Sequence, residues 1–223
     1  MFDIHSLAEF DEYVQQSQRL DDVVVQGVDL SERSAQIEAV SCVGGTFLGC
    51  NLAERTLRHV IDGGAVVFPN LPGLPFRPYR SRLYRQGELL EGWTPGDSES
   101  FDRDALDSQI YRWASRHPKG QNPPVLEALA RRLHDHAIDD AMGEHLAKHS
   151  DVVAVMGGHS MLRSDPEFRV VVELGRTMAR EGWHVATGGG PGAMEAANLG
   201  AWLAPHRDDA LDTAIDLLCA EVD

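Results

Sequence analysis

The sequence contains only three cysteines, Cys42, Cys50 and Cys219, and their odd number excludes a fully paired disulfide framework. It also contains no Cys-x-x-Cys pair, so the zinc sites that depend on that spacing are excluded. Unpaired cysteines are typical of proteins from a reducing compartment, and we therefore expect a cytoplasmic protein.

Positive charge is also scarce, with 20 Lys and Arg residues against 35 Asp and Glu residues and a formal net charge of −15. Such an acidic chain repels nucleic acids and anionic membrane surfaces. No apolar run approaches the ~20 residues that a membrane span needs, and the N-terminal residues lack the basic and apolar segments of a secretory signal. We therefore expect no nucleic-acid partner and no membrane partner.

The pattern of the 223 residues changes near residue 123, which indicates two regions. Residues 1–123 alternate short strands with turn signals, and we predict an α+β region of unknown role. Within it, the apolar runs at 22–25 and 65–68 predict strands, and residues 53–61 between them predict a helix. Residues 124–223 are predicted to form a helix followed by the first half of a nucleotide-binding domain.

Two glycine-bounded segments of the first region, residues 27–30 and 45–52, resemble coils of a β-solenoid with a five-residue repeat. Two copies are too few to stack into a stable solenoid. Ordinary strands and turns are therefore the favoured interpretation.

The loop at residues 69–85 is rich in proline and arginine, in an otherwise acidic chain. It contains four prolines and no acidic residue, together with Arg77, Arg80, Arg82 and Arg85. These arginines could contact a phosphate group, which guanidinium groups bind well. Pairing with acidic residues elsewhere on the surface is the favoured alternative, because such residues are abundant.

From residue 124, apolar residues recur at spacings of three and four, which predicts one amphipathic helix that ends near Lys148. This helix carries a polar set that could be considered for metal binding: His134, His136, Asp139, Asp140 and His145. His134 and His136 are two residues apart and diverge on a helix, so the set offers no clean ligand pair on one face. We favour a polar helix face and predict no metal site.

Residues 151–203 predict the order strand, loop, helix, strand, loop and helix, and glycine, proline or capping residues mark the boundaries. The apolar run at 151–156 is typical of a parallel strand that is covered on both faces, and it stops at two glycines. A helix begins at Pro166, capped by Ser164 or Asp165, and a second strand follows at 183–187. The predicted fold class is therefore α/β, with a Rossmann-like parallel sheet formed by this βαβα unit and preceded by the α+β region.

Each predicted strand runs into a glycine loop. The first loop contains Gly157 and Gly158, and the second is the run Gly188-Gly189-Gly190-Pro191-Gly192 at the start of the next helix. Free N–H groups at a helix N-terminus bind anions, and open α/β sheets bind ligands at the carboxyl ends of their strands. We therefore expect a nucleotide or sugar phosphate as the small-molecule partner, in preference to loops that serve only as tight turns.

The spacing Gly188-x-Gly190-x-x-Ala193 also satisfies the relaxed fingerprint of dinucleotide-binding proteins. In dinucleotide-binding proteins that fingerprint follows the first strand of the domain. An acidic residue that binds the ribose ends the next strand, about 20 residues later. The acidic residues found at that distance, Asp208, Asp209 and Asp212, open a predicted helix instead. We therefore expect no dinucleotide cofactor.

The run from Thr187 to Ala201, TGGGPGAMEAANLGA, resembles the LOG family, and the Met156-Gly157-Gly158-His159-Ser160 loop lies where that family has its first glycine loop. The resemblance covers about residues 150–205. It implies a Rossmann-like, often dimeric enzyme that needs no cofactor. Such enzymes hydrolyse the N-glycosidic bond of nucleoside 5′-monophosphates and release the base and ribose 5-phosphate. The nucleotide-binding residues implied by the resemblance are Gly157, Gly158, His159, Ser160, Gly188, Gly189, Gly190, Gly192 and Glu195.

One departure from the family concerns catalysis. The second motif of the family, Pro-Gly-Gly-x-Gly-Thr-x-x-Glu, and the catalytic Arg before it are absent from this sequence. Departure of the base requires a carboxylate near the ribose, and Glu195 is interpreted as a positioning group. We therefore expect a truncated domain in which the catalytic residues are unknown and hydrolysis is absent or weak. The alternative is a binding module without enzymatic activity, similar to the carriers of the molybdenum cofactor.

Overall fold

The computed structural model describes residues 2–117 and 120–220, which form two compact units. The N-terminal unit is Met1–Gly143 and the C-terminal unit is Glu144–Asp223. Sequence analysis predicts a boundary between residues 123 and 124, whereas the two units divide inside a long helix. Among the described residues, no helix is both long and apolar enough to cross a membrane.

The N-terminal unit is built on four short strands that alternate with helices. The strands are β1 (Phe2–Ile4), β2 (Val23–Gln26), β3 (Thr46–Leu48) and β4 (Val66–Phe68). The helices are α1 (Leu7–Ser17), α2 (Ser34–Glu38), α3 (Glu54–Asp62), α4 (Gln86–Leu89), α5 (Ser98–Asp104), α6 (Leu106–Ser115) and α7 (Val125–Leu146).

All four strands are parallel and pair in sequence order, β1-β2-β3-β4. Val24 pairs with Thr46, and Thr46 pairs with Val66, so each strand returns after about 20–22 residues, the length of one strand–helix repeat in a solenoid. The predicted strands at 22–25 and 65–68 and the helix at 53–61 are confirmed to within one residue. The five-residue coils are not formed, because the repeat is a whole strand–helix unit.

Large apolar side chains fill the space between this sheet and its helices. Phe10 of α1, Val25 of β2, Ile37 of α2 and Phe47 of β3 are fully buried in one continuous cluster. Leu20 lies before β2 and is equally buried. Alternation of strand and helix thus gives this region a regular parallel core, more ordered than the α+β region that the turn signals predict.

The C-terminal unit contains β5 (Val152–Val155), α8 (Pro166–Arg180), β6 (His184–Thr187), α9 (Ala193–Trp202) and α10 (Asp208–Ala220). β5 and β6 pair in parallel, with Val152 opposite His184 and Val155 opposite Thr187. The predicted α/β class and the βαβα unit at 151–203 are therefore confirmed. Asp165 is the N-cap residue of α8, one of the two that were predicted, but its carboxylate accepts a hydrogen bond from the Leu162 N–H at 2.9 Å and none from the helix.

Helices α8 and α9 pack closely because small residues face one another. A Cβ atom added to Gly200 would clash with the Val172 carbonyl oxygen and lie 2.8 Å from the Arg176 nitrogen. A Cβ atom added to Gly175 would clash in the same way with the Ala197 carbonyl group. Only glycine allows backbones to approach so closely.

The prediction that the first strand of this unit is covered on both faces is wrong. Val152 is 44% exposed and Ala154 is also exposed, whereas Val153 and Val155 between them are partly buried. Helix α9 contacts both β5 and β6, and α8 contacts β6, so the covered side of the two strands is the side that faces these helices. The apolar run at residues 151–156 therefore does not mean that both faces of β5 are buried.

Candidate functional site

Both predicted glycine loops lie at the same edge of the β5–β6 sheet. The strands are parallel and Val155 pairs with Thr187, so the loop from Gly157 and the loop from Gly188 leave the sheet side by side. The second loop leads directly into α9, whose first residue is Ala193. The structure therefore brings the predicted loops and a helix N-terminus together at the carboxyl ends of the strands.

The two loops contact each other through a hydrogen bond. The Gly158 carbonyl oxygen accepts hydrogen bonds from the Met161 and Ala193 N–H groups, both at 3.2 Å. A Cβ atom on Gly158 would lie 2.6 Å from the Ala193 Cβ atom, and one on Gly192 would clash with the Gly158 carbonyl group. Gly158 and Gly192 also have positive φ angles, +69° and +74°. These two glycines hold the loops against each other.

Other glycines of the loops face open space. Gly157 and Gly189 have positive φ angles, +86° and +72°, but a Cβ atom at either position would meet nothing within 4 Å. Gly190 does not have a positive φ angle, and a Cβ atom there would lie 2.5 Å from the Met194 methyl carbon, the end of a flexible side chain. Open space is therefore found beside Gly157 and Gly189, whereas the Met194 side chain lies beside Gly190.

Two of the predicted anion-binding N–H groups already have partners within the protein. The Gly189 N–H donates to Thr187 Oγ1 at 3.1 Å, and the Ala193 N–H donates to Gly158. Pro191 has no N–H group. Of this loop, Gly188, Gly190 and Gly192 have N–H groups without a hydrogen-bond acceptor among the described residues, and the last two lie next to the start of α9.

Sequence analysis missed the link between Thr187 and Asn198. The Asn198 side-chain amide donates to Thr187 Oγ1 at 2.7 Å, so the same hydroxyl oxygen accepts bonds from α9 and from the glycine loop. This contact fixes the end of β6 to the helix that follows the loop. The available signal was Asn198 itself, a polar residue in a helix made mostly of small and apolar residues.

Glu195 lies in the first turn of α9, as its predicted role requires, but it has a partner that sequence analysis did not identify. Arg163, in the loop after β5, contacts the Oε1 atom of Glu195 through its Nε atom at 3.0 Å and a terminal nitrogen at 2.8 Å. Both side chains are about a quarter to a third exposed. His159 and Ser160 are exposed in the same loop as Arg163.

The polar residues that were considered for a metal site on the long helix do not form one cluster. His134 contacts the Tyr84 hydroxyl group at 3.0 Å and the Phe76 ring, and burial lowers its pKa. His136 and Asp140 line a separate cavity of the N-terminal unit. His145 instead lies beside two other histidines of the C-terminal unit.

The arginine-rich loop is partly neutralised by an acidic residue, as the favoured interpretation predicts. The buried Arg80 donates to both carboxylate oxygens of Glu88, at 2.7 and 2.9 Å, and stacks over the Tyr84 ring. The hydrogen bonds from Arg80 lower the pKa of Glu88. Arg77 donates to the Gly27 carbonyl oxygen at 3.3 Å. Arg80 is therefore committed to the protein interior.

Comparison with known proteins gives one match. The model of the SLOG cluster4 family matches residues 150–204, the βαβα unit with its two glycine loops. The SLOG superfamily includes LOG-like folds and is related to nucleotides, so the match supports the resemblance at this coarser level. The match covers less than half of the chain. No curated protein and no solved structure matches the chain.

Proposed function

We propose that the crevice between the two glycine loops binds the phosphate group of a nucleotide or sugar phosphate. The observation that supports this proposal most directly is the hydrogen bond between Gly158 and Ala193, which joins both loops at the N-terminus of α9. Backbone N–H groups and the helix dipole together favour an anion at such a point. The match at residues 150–204 supports the same kind of ligand.

The proposed phosphate contacts are the N–H groups of Gly190 and Gly192, with Gly157 and Gly189 leaving space for the rest of the ligand. The N–H groups of Gly190 and Gly192 lie just before α9, so they can donate to a phosphate oxygen while the hydrogen bond between Ala193 and Gly158 stays in place. Arg163 and Glu195 border the crevice as an ion pair. The pair carries no net charge, so the helix N-terminus supplies the attraction in a chain whose net charge is −15.

In this proposal the chain binds a nucleotide 5′-monophosphate without efficient chemistry. The second LOG motif is absent from the sequence, and the carboxylate nearest to the glycine loops is paired with Arg163. The guanidinium group of Arg163 occupies one oxygen of this carboxylate, which a general base would need for the activation of water. A binding or carrier function fits these residues better than hydrolysis.

The experiment compares AMP binding by two Gly→Ala variants in calorimetry. In Gly190→Ala the new methyl group would displace the Met194 side chain beside the proposed phosphate contacts and disturb them, so we expect affinity to fall at least about tenfold, the equivalent of one charge-assisted hydrogen bond. Gly143→Ala is the matched control, because it lies in α7 with open space around it. Its affinity should equal that of the parent.

Unchanged AMP affinity in folded Gly190→Ala would contradict the proposal and leave the loop as a packing turn. Inorganic phosphate and sulfate should compete with AMP, because the proposed contacts are to the phosphate group. Competition by adenosine alone, without competition by phosphate, would place the recognition at the base and would also contradict the proposed contacts.

Phosphoribohydrolase activity is the second candidate, and one observation favours it. The Glu195 carboxylate lies in the first turn of α9 beside the second glycine loop, and it contacts Arg163 through its Oε1 atom. Incubation with AMP or CMP followed by chromatography tests the activity. We expect no free base above background. Equal amounts of base and ribose 5-phosphate, lost in Glu195→Gln, would instead establish hydrolysis and a catalytic role for Glu195.

A further inference from the structure

Three histidines of the C-terminal unit converge at the end of the sheet opposite to the glycine loops. His145 lies in the last turn of α7, His149 follows the turn after that helix, and His184 is the first residue of β6. One ring nitrogen of each histidine lies within 4.8 Å of the other two. The Nε2 atoms of His145 and His184 are 3.4 Å apart, and the rings of His149 and His184 are stacked with centroids 4.0 Å apart.

Backbone hydrogen bonds hold these three residues in place. The His149 N–H donates to the Leu146 carbonyl oxygen at 3.0 Å, which keeps His149 in the turn after α7. The His184 N–H donates to the Asp151 carbonyl oxygen at 2.8 Å, which fixes the start of β6 beside β5. The three rings are each partly buried. The cluster is therefore positioned by the fold itself.

We propose that His145, His149 and His184 form a binding site for a divalent transition metal ion, with Zn²⁺ as the expected ion. Zinc binds imidazole nitrogens at about 2.0–2.1 Å, and two such ligands at a tetrahedral angle are about 3.4 Å apart. The Nε2 atoms of His145 and His184 already have this separation. The ligand atoms of the three histidines lie at most 4.8 Å apart, so a small rotation of the partly buried His149 ring is required on metal binding.

The composition of the cluster selects the class of ion. Three imidazole nitrogens without a carboxylate do not suit Mg²⁺ or Ca²⁺, which take oxygen ligands. Imidazole suits Zn²⁺, Cu²⁺ and Ni²⁺. The net charge of −15 also favours a cation over an anion.

Three protein ligands leave at least one coordination position of a tetrahedral ion for water or for an external ligand. The site is separate from the glycine crevice, because His184 begins β6 whereas Thr187 ends it at the opposite edge. Metal binding at this end does not depend on nucleotide binding at the other. The two proposals can therefore fail independently.

The same geometry is compatible with a simple hydrogen bond between His145 and His184 and ring stacking with His149. In that case no metal is needed, and one Nε2 atom donates to the other. Both interpretations predict the distances in the structure. Only the metal site predicts that the three residues bind an ion together.

The experiment is calorimetry with Zn²⁺ on the full chain without a polyhistidine tag. The pH of the solution is set about one unit above the ordinary pKa of histidine, so that free imidazole groups are mostly neutral. We expect one ion per chain, and a loss of at least about tenfold in affinity for each of His145→Gln, His149→Gln and His184→Gln. X-ray absorption at the zinc edge should show imidazole nitrogens at about 2.0–2.1 Å. Two control variants, His206→Gln and Cys219→Ser, alter exposed potential ligands of the same unit and should bind Zn²⁺ as the parent does.

Two results would overturn the proposal. The first is a parent chain that binds no Zn²⁺, which would leave a hydrogen-bonded histidine cluster. The second is binding that persists unchanged in the three histidine variants or is lost in Cys219→Ser, since the ion would then lie elsewhere. His149→Gln keeps the test decisive if a strand or helix variant fails to fold, because His149 lies outside both elements.

Discussion

The two units use parallel strands and helices in different ways. The N-terminal unit repeats one strand–helix element and fills the space between sheet and helices with large side chains such as Phe10 and Phe47. The C-terminal unit has two described strands and brings α8 and α9 together through Gly175 and Gly200. Packing in the N-terminal unit depends on large side chains, whereas packing of α8 against α9 depends on glycines that have no side chain. Parallel strands and helices can thus form a repeat, or they can hold two loops close together.

The difference is also visible in the loops at the strand ends. In the C-terminal unit, close approach of α8 and α9 accompanies the direct contact of Gly158 with the start of α9. The N-terminal unit buries apolar residues in the corresponding turns, for example Val28 and Leu30 after β2. Removal of side-chain volume should therefore destabilise the N-terminal unit, and addition of volume should destabilise the C-terminal unit.

The largest effect is expected for Phe47→Ala in the N-terminal unit. Phe47 is fully buried, so its truncation should lower the free energy of unfolding of this unit by about 3–5 kcal/mol. Hydrogen exchange measured residue by residue separates the units, because a single melting curve does not report them individually. Equal loss of protection in both units would show that they unfold together and would break the comparison.

A smaller loss is expected for Gly200→Ala in the C-terminal unit. The added methyl group would clash with the Val172 carbonyl oxygen, and backbone atoms cannot move away as side chains do. Overpacking of this kind should cost about 2–3 kcal/mol of the free energy of unfolding of that unit. Gly143→Ala is again the control and should be neutral or slightly stabilising, because it adds a better helix former in open space. Tolerance of Gly200→Ala would mean that close packing of α8 and α9 is not required.

The third prediction concerns charge in the N-terminal unit. Glu88→Gln should lower the free energy of unfolding by about 1.5–2 kcal/mol at neutral pH, because the buried Arg80 loses its charged partner. The pKa of Glu88 in the folded chain lies below its ordinary value of 4.5, so its stabilising contribution is present above that value. The contribution disappears as the pH falls through the lowered pKa. The parent and the variant should therefore converge in acid, and a constant difference at every pH would assign the loss to packing.

The βαβα unit was predictable because each of its boundaries carries a strong local signal. Gly157 and Gly158 end one strand, Pro166 starts a helix, and the run from Gly188 marks the next turn. The direct contact between the two loops was not predictable, since it depends on a tertiary hydrogen bond. The same holds for the pairing of Arg163 with Glu195, which lie on separate elements.

The repeat of the N-terminal unit was missed because three of its strands, β1, β3 and β4, have only three residues each. A comparison at a period of about 22 residues would have found it, since a solenoid of strand–helix units repeats apolar positions at that spacing. Val25 and Phe47 occupy one such position, and Val28 and Cys50 occupy another. Analysis of short windows cannot detect recurrence at this distance.

The histidine cluster was missed for a related reason. The search for metal ligands considered residues within one helix, whereas His184 joins the cluster from a strand that is distant in sequence. His145 and His149 have the i, i+4 spacing of a possible ligand pair in the sequence. His149 follows the end of α7, however, and the metal site was rejected because His134 and His136 diverge on the helix. Only the tertiary structure brings the third histidine, His184, to the other two.

The smallest effect is expected at the hydrogen bond between Asn198 and Thr187, which anchors the second glycine loop. Asn198→Ala removes one bond to Thr187 Oγ1, whereas Thr187→Val also removes the bond from the Gly189 N–H. Each hydrogen bond at this partly exposed position should contribute about 0.5–1 kcal/mol to the free energy of unfolding, so Thr187→Val should lose more than Asn198→Ala. Adding Asn198→Ala to Thr187→Val should cost almost nothing further, because both changes remove the same bond. Amide exchange at Gly189 should accelerate in Thr187→Val and much less in Asn198→Ala. Full additivity in the double variant would contradict this account, since it would mean that Asn198 stabilises α9 without acting through the loop.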